Sequence, residues 1–331
     1  MNTIRSFSLL RFFCERWAVL CGAAVVMAVP ASSSSAADPV PQDIRDTVAA
    51  LDQRGGVGAV LKRAEAESFR DLPYVKDGHE RQTLDLHVPG GKRGKAVPVV
   101  VYIHGGGWRN GKKSSSNAIP LITRGYAVAG IGYRLSDAAS FPAQIHDCKA
   151  AIRWLRAYAK EYGIDPDRIG VWGQSAGAHL AALLGTSGDV SELEGDLGEH
   201  TGVSSRVQAV CDVFGPADFL LSDVGGKSDN PKGPVALFLG GPPSDRRDIA
   251  RRASPAHWIS SDDASVLILQ GGQDRTVPPV QSRDFAERLE KAGVDVGLIE
   301  FPEAGHGGPE FKSAETIAKI VAFFDKHLQG E

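Results

Sequence analysis

The most informative absence from this sequence is a block of basic residues. No run of lysine and arginine is longer than two, and the 331 residues carry a formal net charge of −3. Because a nucleic-acid-binding protein normally presents a basic patch or stripe, a nucleic-acid partner is disfavoured. The composition is otherwise ordinary, with 42% hydrophobic and 23% charged residues, which is enough for a substantial buried core.

Cysteine is also scarce, with 4 residues in the chain. None of them belongs to a CxxC pair or to a Cys/His cluster with zinc spacing, so the sequence predicts no metal site and no cofactor. Cys148 falls in a helical pattern and Cys211 in a buried-strand pattern. We therefore expect two separate buried thiols, although an oxidising compartment would permit a disulfide between them.

The sequence also lacks an apolar run of about 20 residues, the length that a transmembrane helix needs. Near the N-terminus, Arg5, Arg11 and Arg16 precede an apolar run over 18–29, which is followed by PASSSSAA. A basic stretch, a short apolar run and a small-residue end are the parts of a secretory signal peptide. We predict a signal peptide over 1–37, cleaved after Ala37, and a secreted or periplasmic protein. An uncleaved membrane anchor is the alternative.

Beyond this segment, strand and helix patterns alternate along the chain. Residues 38–72 are polar with weak helical periodicity and predict an N-terminal extension. RQTLDLHVP alternates like a half-buried strand, whereas VPVVVYI is apolar almost throughout, which is typical of a strand buried on both faces. Further strands are predicted in YAVAGIGYR, RIGVWG, VQAVCDVFG, SVLILQG and VGLIEF. The alternation predicts an α/β domain over 73–331, with a mostly parallel sheet covered by helices on both faces.

One stretch, over about 216–262, is rich in Gly, Pro and Asp and lacks a strong pattern. It is too long for a plain loop in a compact domain. We therefore predict a small lid-like insertion with short helices. The sequence does not specify the oligomeric state.

The pentapeptide GQSAG, residues 173–177, fits the pattern G-x-S-x-G. A strand pattern precedes it and an Ala-rich helix follows it, which is the context that a nucleophile elbow requires. The two outer glycines leave room for close backbone approach, so that Ser175 would project from the turn. An ordinary strand-to-helix corner is the alternative.

A serine hydroxyl needs a base to take its proton and an acid to orient that base. In this architecture the acid and then the histidine follow the serine, each beyond the carboxyl end of a strand. LILQGGQDRTVPP places Asp274 in such a position, and LIEFPEAGHGG places His306 in another. We predict Ser175, Asp274 and His306 as the catalytic residues.

The motif HGGGW, residues 104–108, directly follows the strand pattern VVVYI. Consecutive glycines let backbone N–H groups point into a cavity, where they can stabilise an oxyanion. We predict an oxyanion hole formed by the N–H groups of Gly105, Gly106 and Ala176. His104 is expected to bond locally and shape this loop. Two neighbours are predicted to line the substrate pocket: Trp108, for which a structural role is an equal alternative, and Gln174.

Other charged and polar residues are assigned weaker roles. Glu303 lies in the same turn as His306 and is a poor candidate for the acid. His179, one helical turn after the serine, is expected to pack against a neighbouring loop. Arg134 and Asp147 are predicted to form a buried pair beneath the site. The acidic run DVSELEGDLGE lacks the alternating ligands of an EF-hand, so we expect a solvated loop rather than a calcium site.

Together, HGGGW, GYRL, DCKAAIRWLR, GQSAGAHLAALL, GQDRTVPP and GHG resemble the α/β-hydrolase superfamily. More narrowly, they resemble its branch of bifunctional feruloyl and acetyl-xylan esterases, near the hormone-sensitive-lipase group. The resemblance spans about 74–328. It implies an α/β-hydrolase fold and a metal-free serine carboxylesterase with the catalytic residues predicted above. The hormone-sensitive group usually carries an N-terminal helical cap, to which 38–68 corresponds poorly.

The resemblance and the predicted export together imply hydrolysis of esters on extracellular polysaccharide, acetyl more than feruloyl. The expected partner is thus a small ester or an acylated polysaccharide, with no nucleic acid and no stable membrane insertion. One alternative is an arylformamidase-like amide hydrolase, because kynurenine formamidases carry a similar HGG-x-W element, although their substrate is cytosolic. Another is a non-catalytic binding protein with the hydrolase fold, which would typically lack one member of the triad.

Overall fold

An eight-stranded sheet runs through the computed structural model, which describes residues 40–91, 95–114, 116–188, 190–221 and 229–330. In chain order the strands are β1 (Glu67–Pro73), β2 (Thr83–Val88), β3 (Val97–Ile103), β4 (Ala127–Ile131), β5 (Ile164–Gln174), β6 (Ala209–Val213), β7 (Ser265–Gly271) and β8 (Val296–Phe301). Their order in the sheet is β1-β2-β4-β3-β5-β6-β7-β8. β2 runs antiparallel to both neighbours, and β3 to β8 are parallel, which confirms the mostly parallel sheet.

Helices connect the strands and cover the sheet. The α-helices are α1 (Gln42–Leu51), α2 (Gly56–Arg63), α3 (Ala143–Ala157), α4 (Ala159–Tyr162), α5 (Ala176–Thr186), α6 (Ser191–Glu194), α7 (Pro234–Leu239), α8 (Arg247–Ala253), α9 (Val280–Ala292) and α10 (Ala314–Phe324). Short 3₁₀ helices span Ile119–Arg124, Pro255–His257 and Pro309–Lys312, and a π-helical turn spans Asp325–Gln329.

The central strand β3 divides the core in two. Val99, Val101 and Ile103 belong to the core cluster that contains the apolar faces of α3, α5 and α9. Val100 and Tyr102 alternate with them and join the opposite cluster, against α1, α2 and α10. Every residue of β3 is buried, because successive side chains of a strand point to opposite faces and both faces are covered by helices.

The N-terminal boundary expected at 72/73 falls inside β1, which the sequence patterns did not predict. β1 pairs antiparallel with β2 at the edge of the sheet, with a register shift between Phe69 and Leu72. Most of its side chains are exposed, so it has no alternating apolar pattern to reveal it. The preceding segment is helical, as expected, and α1 and α2 contribute the buried side chains of Ile44 and Val60 to the core.

β2 differs from the predicted half-buried strand because its polar face is also covered. Asp85 and His87 are both buried. The carboxylate of Asp85 accepts a hydrogen bond from Lys113 Nζ at 2.6 Å, and His87 Nδ1 lies 2.8 Å from Ser68 Oγ. Burial lowers the pKa of His87, so that this ring is neutral near pH 7. Polar partners on β1 and after β3 therefore replace water on this face.

The insertion expected over 216–262 contains the short helices α7 and α8. Within it, residues 222–228 lie outside the described residues. The described part is packed rather than free-standing. Phe238 and Leu239 of α7 are buried, and so are Ala250 and Ala253 of α8. These side chains belong to the same core cluster as α5, so this part of the insertion forms a wall of the domain.

The acidic run near 190–199 is not simply a solvated loop, so that expectation is wrong for Glu194. Its carboxylate accepts a hydrogen bond from Lys149 Nζ at 2.5 Å and one from Arg153 Nη1 at 3.0 Å. Both cations lie on α3 and are buried. Because two buried cations need a nearby carboxylate, Glu194 anchors this segment to the domain. Asp189 lies outside the described residues.

Two further expectations concern thiols and the membrane. Cys148 and Cys211 are separate, free and buried, as predicted, and burial raises the pKa of both thiols. In the described ranges, no helix is both long and apolar enough to cross a membrane. The predicted signal peptide, 1–37, lies outside those ranges.

Candidate active site

Ser175 occupies a sharp turn between β5 and α5. β5 ends at Gln174, α5 begins at Ala176, and the serine between them has φ 54° and ψ −121°. A positive φ is strained for a residue other than glycine, and such strain clusters at functional sites. The backbone N–H of Ser175 donates to the carbonyl of Val213 at 2.9 Å, which ties the turn to the end of β6.

Backbone contacts explain why this turn requires glycine on both sides. A Cβ on Gly173 would lie 2.2 Å from the carbonyl oxygen of Gly177. A Cβ on Gly177 would lie 2.1 Å from the carbonyl oxygen of Ile103, at the end of β3. Real Cβ atoms do not approach this closely, so the elbow can pack against β3 only without these side chains.

Three side chains from different strand ends form a continuous hydrogen-bonded chain. His306 Nε2 lies 2.9 Å from Ser175 Oγ, and His306 Nδ1 lies 2.7 Å from Asp274 Oδ2. Since a carboxylate only accepts, Nδ1 carries a proton toward Asp274, and Nε2 is left to accept from the serine hydroxyl. The three predicted residues are therefore brought together in the geometry of a nucleophile, a base and an orienting acid.

The orientation of the acid is set by its own loop. Asp274 is buried, and its Oδ1 accepts hydrogen bonds from the backbone N–H groups of Thr276 and Val277 at 2.7 and 2.9 Å. With Oδ1 occupied in this way, Oδ2 faces His306. The carboxylate is thus held in one orientation by the loop after β7.

The imidazole of His306 packs against an aromatic ring that the sequence analysis missed. Phe214 directly follows β6, has φ 48°, and its ring centroid lies 4.5 Å from that of His306. It is buried and also contacts Phe311 edge-on. Its position at the carboxyl end of a central parallel strand was the available signal, because ligands and site residues collect at that edge of the sheet.

Three backbone N–H groups near Ser175 are unpaired. Those of Gly105, Gly106 and Ala176 donate to no acceptor among the described residues. Gly106 has φ 112°, and a Cβ there would lie 2.3 Å from Asn110 Oδ1, so only glycine fits this conformation. N–H groups without an internal partner can donate to charge that develops on a substrate oxygen. The arrangement suits the predicted oxyanion hole.

His104 shapes the glycine loop, as expected, but it does so together with Arg81, which the sequence analysis missed. Nη2 of Arg81 lies 3.1 Å from Nε2 of His104, and Nδ1 of His104 lies 2.8 Å from the carbonyl oxygen of Gly105. Because a guanidinium can only donate, Nε2 accepts and Nδ1 donates to Gly105. Burial lowers the pKa of His104 to about 4, so the ring is neutral near pH 7.

This bond determines where the next N–H group points. In a trans peptide the carbonyl and the N–H of the following residue lie in one plane and point in opposite directions. Holding the Gly105 carbonyl toward His104 therefore turns the Gly106 N–H the other way. Arg81 supports the same loop through further bonds to the carbonyl oxygens of Tyr133 at 2.9 Å and Gly111 at 2.8 Å.

The site opens into a cleft of about 600 Å³. Its lining residues are Tyr102, His104, Gly105, Gly106, Gly107, Asn110, Gly111, Lys112, Asn117, Gln174, Ser175, Phe214, Thr276, His306 and Lys312. Gln174 is among them, as predicted. Apart from the glycines, Phe214 is the one residue in this set whose side chain has no polar atom.

Trp108 is not among the residues that line this cleft, and its packing suits the structural alternative for this residue. Its side chain is buried, and its ring stacks on Phe238 at a centroid distance of 4.5 Å. It also meets His179 edge-on at 5.3 Å. His179 in turn bonds through Nε2 to the carbonyl oxygen of Ala253 at 2.7 Å, so its neighbour is the end of helix α8 rather than the loop that was expected.

The pair predicted beneath the site is present. Asp147 is fully buried and accepts hydrogen bonds from the backbone N–H of Arg134 at 2.8 Å and from its guanidinium at 2.8 to 3.1 Å. Gln82 Nε2 adds a bond of 2.7 Å. Since Gln82 is the neighbour of Arg81, this carboxylate also holds the segment that supports the oxyanion loop.

In the described ranges, no cluster of three His, Cys, Asp or Glu side chains could hold a metal ion.

Comparison with known proteins agrees with this geometry. Esterase LipQ of Mycobacterium tuberculosis is 31% identical to this chain over 294 residues, which are 80% of this chain and 66% of LipQ. A structure described as a truncated form of a carbohydrate esterase from gut microbiota is 31% identical, with a TM-score of 0.72, over 78% of this chain and 95% of that one. Kynurenine formamidase of Danio rerio is 25% identical over 75% of this chain and 78% of its own length.

The chain spans about two thirds of LipQ (66%) and 58% of Esterase LipC from the same bacterium. The sheet, the strand-end site and the structural similarity define an α/β-hydrolase, as the sequence motifs implied. A protein-family model described as BD-FAE matches residues 84–289, more than half of the chain. This protein belongs to the BD-FAE family.

Proposed function

We propose that this protein is a carboxylesterase that acts through an acyl-enzyme on Ser175. One observation carries the proposal: a hydrogen-bonded chain from Ser175 through His306 to Asp274 lies beside three backbone N–H groups that have no acceptor among the described residues. Nucleophile, base, acid and oxyanion donors are the complete set that acyl transfer requires. The esterases among the relatives support the same chemistry.

The reaction follows from the positions of these groups. Ser175 Oγ attacks the ester carbonyl carbon while His306 Nε2 takes its proton, and Asp274 stabilises the resulting imidazolium. The N–H groups of Gly105, Gly106 and Ala176 hold the oxyanion. His306 then gives the proton to the departing alkoxide, which leaves as the alcohol. Water, activated by the same nitrogen, hydrolyses the acyl-enzyme and releases the acid.

The substrates that we propose are short-chain esters on carbohydrate, acetyl more than feruloyl. A long aliphatic chain or a feruloyl ring would need several wholly apolar side chains around it, and Phe214 is the one such side chain among the lining residues. Hydrogen-bonding side chains such as Asn110, Asn117 and Gln174 suit an alcohol with several hydroxyl groups. The carbohydrate esterase among the solved structures supports this substrate class.

We also propose that the protein is exported, on the basis of its N-terminal arginines, apolar run and small-residue end. An exported esterase would meet acylated polysaccharide outside the cell. Expression of the full chain, followed by N-terminal sequencing of the protein recovered outside the cytoplasm, tests this proposal. A new N-terminus at Asp38 is expected, and an uncleaved protein retained in the cell would contradict it.

Replacement of the nucleophile tests the esterase proposal directly. We expect Ser175→Ala to lower hydrolysis of p-nitrophenyl acetate by about 10⁴-fold or more, because the remaining groups offer no nucleophile. A fluorophosphonate probe should label the native protein and not the variant. Circular dichroism and the unfolding midpoint control for folding. Retained hydrolysis or labelling in the folded variant would disprove the assignment.

A second candidate is hydrolysis of an arylformamide, because the formamidase of Danio rerio matches over most of its own length. The same residues could cleave an amide, since the base can protonate a departing amine. Acetate release from acetylated xylan, compared with hydrolysis of N-formylkynurenine by the same preparation, separates the two. We expect the ester to give the larger kcat/KM.

A further inference from the structure

A fully buried glutamine lies at the end of β7, next to the loop that carries the acid of the site. Gln270 is the residue before Gly271, with which β7 ends, and its side chain is inaccessible to solvent. A buried amide needs partners for its oxygen and for its nitrogen, because an unpaired polar group is costly in the interior. The partners of this amide therefore show what it holds in place. The proposed reaction assigns it no role.

The hydrogen-bond acceptors around the Gln270 nitrogen all belong to residues 271–277, which we call the acid loop. Nε2 lies close to three oxygen atoms of this loop: the carbonyl of Gly271 at 3.1 Å, the carbonyl of Val277 at 3.2 Å and Oδ2 of Asp274 at 3.4 Å. Carbonyl and carboxylate oxygens can only accept, so this end of the amide must be the NH₂ group.

Ser282 connects the other end of the amide to a helix. It lies in the first turn of α9, its side chain is buried, and its Oγ donates to Oε1 of Gln270 at 2.7 Å. If the amide were turned over, its oxygen would face three atoms that can only accept. The amide therefore has a single orientation, fixed by α9 at one end and by the acid loop at the other.

One side chain thus binds both ends of the acid loop and the acid itself. The backbone of the loop fixes Oδ1 of Asp274 from within, whereas Gln270 ties the loop to β7 and α9. The contact from Nε2 to Oδ2 is the longest of the three, so we expect the amide to act mainly by keeping the loop closed. Oδ2 also faces His306 Nδ1 at 2.7 Å, so a movement of the loop moves the partner of the base.

We propose that Gln270 is a positioning residue for the esterase reaction and that Ser282 supports it. The buried amide keeps the acid loop closed, so that Asp274 holds His306 in the orientation in which it takes the serine proton. Gln270 and Ser282 are both buried and do not line the cleft, so their effect reaches the reaction through the acid and the base. The inference rests on the proposed esterase function.

Two substitutions of the glutamine separate its hydrogen bonds from the space that it fills. Gln270→Met keeps an unbranched side chain that can fill the same space and removes the amide. Gln270→Glu keeps the shape but, once ionised, cannot donate and repels the carboxylate of Asp274. Gln144→Met is the matched control, because Gln144 is also fully buried and its amide donates to the carbonyl of Ala139, outside the acid loop.

We expect Gln270→Met to lower kcat for p-nitrophenyl acetate by about tenfold to a hundredfold, with KM changed less than about twofold. Removal of a triad acid costs about 10⁴-fold, and a displaced acid should cost a part of that. Gln144→Met should change kcat less than about twofold. The low-field ¹H NMR signal of the proton between His306 Nδ1 and Asp274 should weaken in Gln270→Met and persist in the control.

In Gln270→Glu the loss of kcat relative to the native protein should grow from about pH 6 to about pH 9, because a protonated carboxyl group can still donate one hydrogen bond and an ionised one cannot. Ser282→Ala provides a second test if the changes at Gln270 prevent folding. It removes the bond to Oε1 and leaves the glutamine in place, and we expect kcat to fall by about threefold to tenfold with the same change in the NMR signal.

Native kcat and an unchanged NMR signal in the folded variants, or equal losses in Gln270→Met and Gln144→Met, would overturn the inference while leaving the esterase intact. If the native protein showed no hydrolysis that depends on Ser175, the proposed function itself would fail.

Discussion

Two glycine-rich segments meet at the site, and they are held in place by different means. GQSAG follows β5 and HGGGW follows the adjacent strand β3. The elbow is shaped by backbone packing, since Gly177 touches the end of β3 and Ser175 is bonded to β6. The oxyanion loop is shaped by side chains, since His104 and the distant Arg81 orient its peptides.

Because of this difference, we expect the elbow to contribute mainly to folding stability and the oxyanion loop mainly to the rate of turnover. Backbone packing against a central strand is part of the fold, so a change in the elbow should affect whether the chain folds. The oxyanion loop is oriented by hydrogen bonds of the Arg81 and His104 side chains, so loss of the Arg81 guanidinium should affect turnover in a folded protein. The predictions below test this contrast in order of expected effect.

The largest effect is expected at the elbow. Gly177→Ala places a Cβ 2.1 Å from the carbonyl of Ile103, so the helix or β3 must move, and we expect a loss of more than about 3 kcal/mol in unfolding free energy or no soluble protein. Gly58→Ala is the matched control, because Gly58 is an exposed position of α2 where a Cβ would meet nothing within 4 Å. That change should stabilise by up to about 1 kcal/mol. Denaturant unfolding measures both, and comparable stability of the two variants would contradict the steric argument.

A smaller effect, on rate rather than folding, is expected from Arg81→Met. Without the guanidinium, His104 loses the partner of Nε2 and no longer holds the Gly105 carbonyl in one orientation. Loss of one oxyanion donor costs about 10²- to 10³-fold in kcat, so a misdirected Gly106 N–H should cost about tenfold to a hundredfold with KM nearly unchanged.

The control for this prediction is Arg70→Met, since Arg70 is exposed and lies 3.9 Å from its carboxylate partner Asp85. Arg81→Lys, which keeps a donor, should recover part of the rate. The affinity of a trifluoromethyl ketone, which forms a tetrahedral adduct on the serine, should fall in parallel with kcat. A change in KM alone would mean that Arg81 acts on substrate binding and not on the oxyanion loop.

A third effect, which depends on pH, is expected where the two segments touch, at His179 on the elbow helix, whose ring meets Trp108 of the loop. Burial lowers the pKa of His179 to about 4, whereas the unfolded chain binds its proton near 6.5. The stability that the neutral ring contributes is thus complete above pH 6.5 and is lost as the pH falls to about 4. At about 1.4 kcal/mol for each pKa unit, this amounts to roughly 3 kcal/mol at most.

His179→Gln removes this titration and keeps a donor for the Ala253 carbonyl. The difference in unfolding free energy between the native protein and this variant should therefore shrink between pH 7 and pH 4.5. His104, with its pKa lowered, and Asp212, with its pKa raised to about 6 by burial, titrate in both proteins and cancel from this difference. A difference independent of pH would show that His179 titrates normally.

Much of the site could be predicted from sequence because its elements are local. A strand, a turn with two obligatory glycines and a helix are contiguous, so Ser175 was recognisable, and the strand-end positions of Asp274 and His306 followed from the parallel topology. Phe214 and Arg81 could not be recognised from the sequence, because their partners are distant in sequence: Phe214 packs on His306, and Arg81 binds His104. The position of Phe214 at the end of a strand indicates the edge of the sheet where the site lies, but not the contact with His306, and no pattern around Arg81 indicates its contact with His104.

The alternation of buried strands and helices could be read from the sequence, and so could the mostly parallel sheet and the edge where the nucleophile, base and acid meet. These features depend on periodicity and on short-range sterics, which involve residues that are neighbours in sequence. Three features became visible only in the folded chain: β1 completes the sheet edge, Trp108 is buried, and α1 lines a hollow next to the cleft. Each of these outcomes depends on which surfaces cover one another, and burial is a property of the packed chain rather than of any segment.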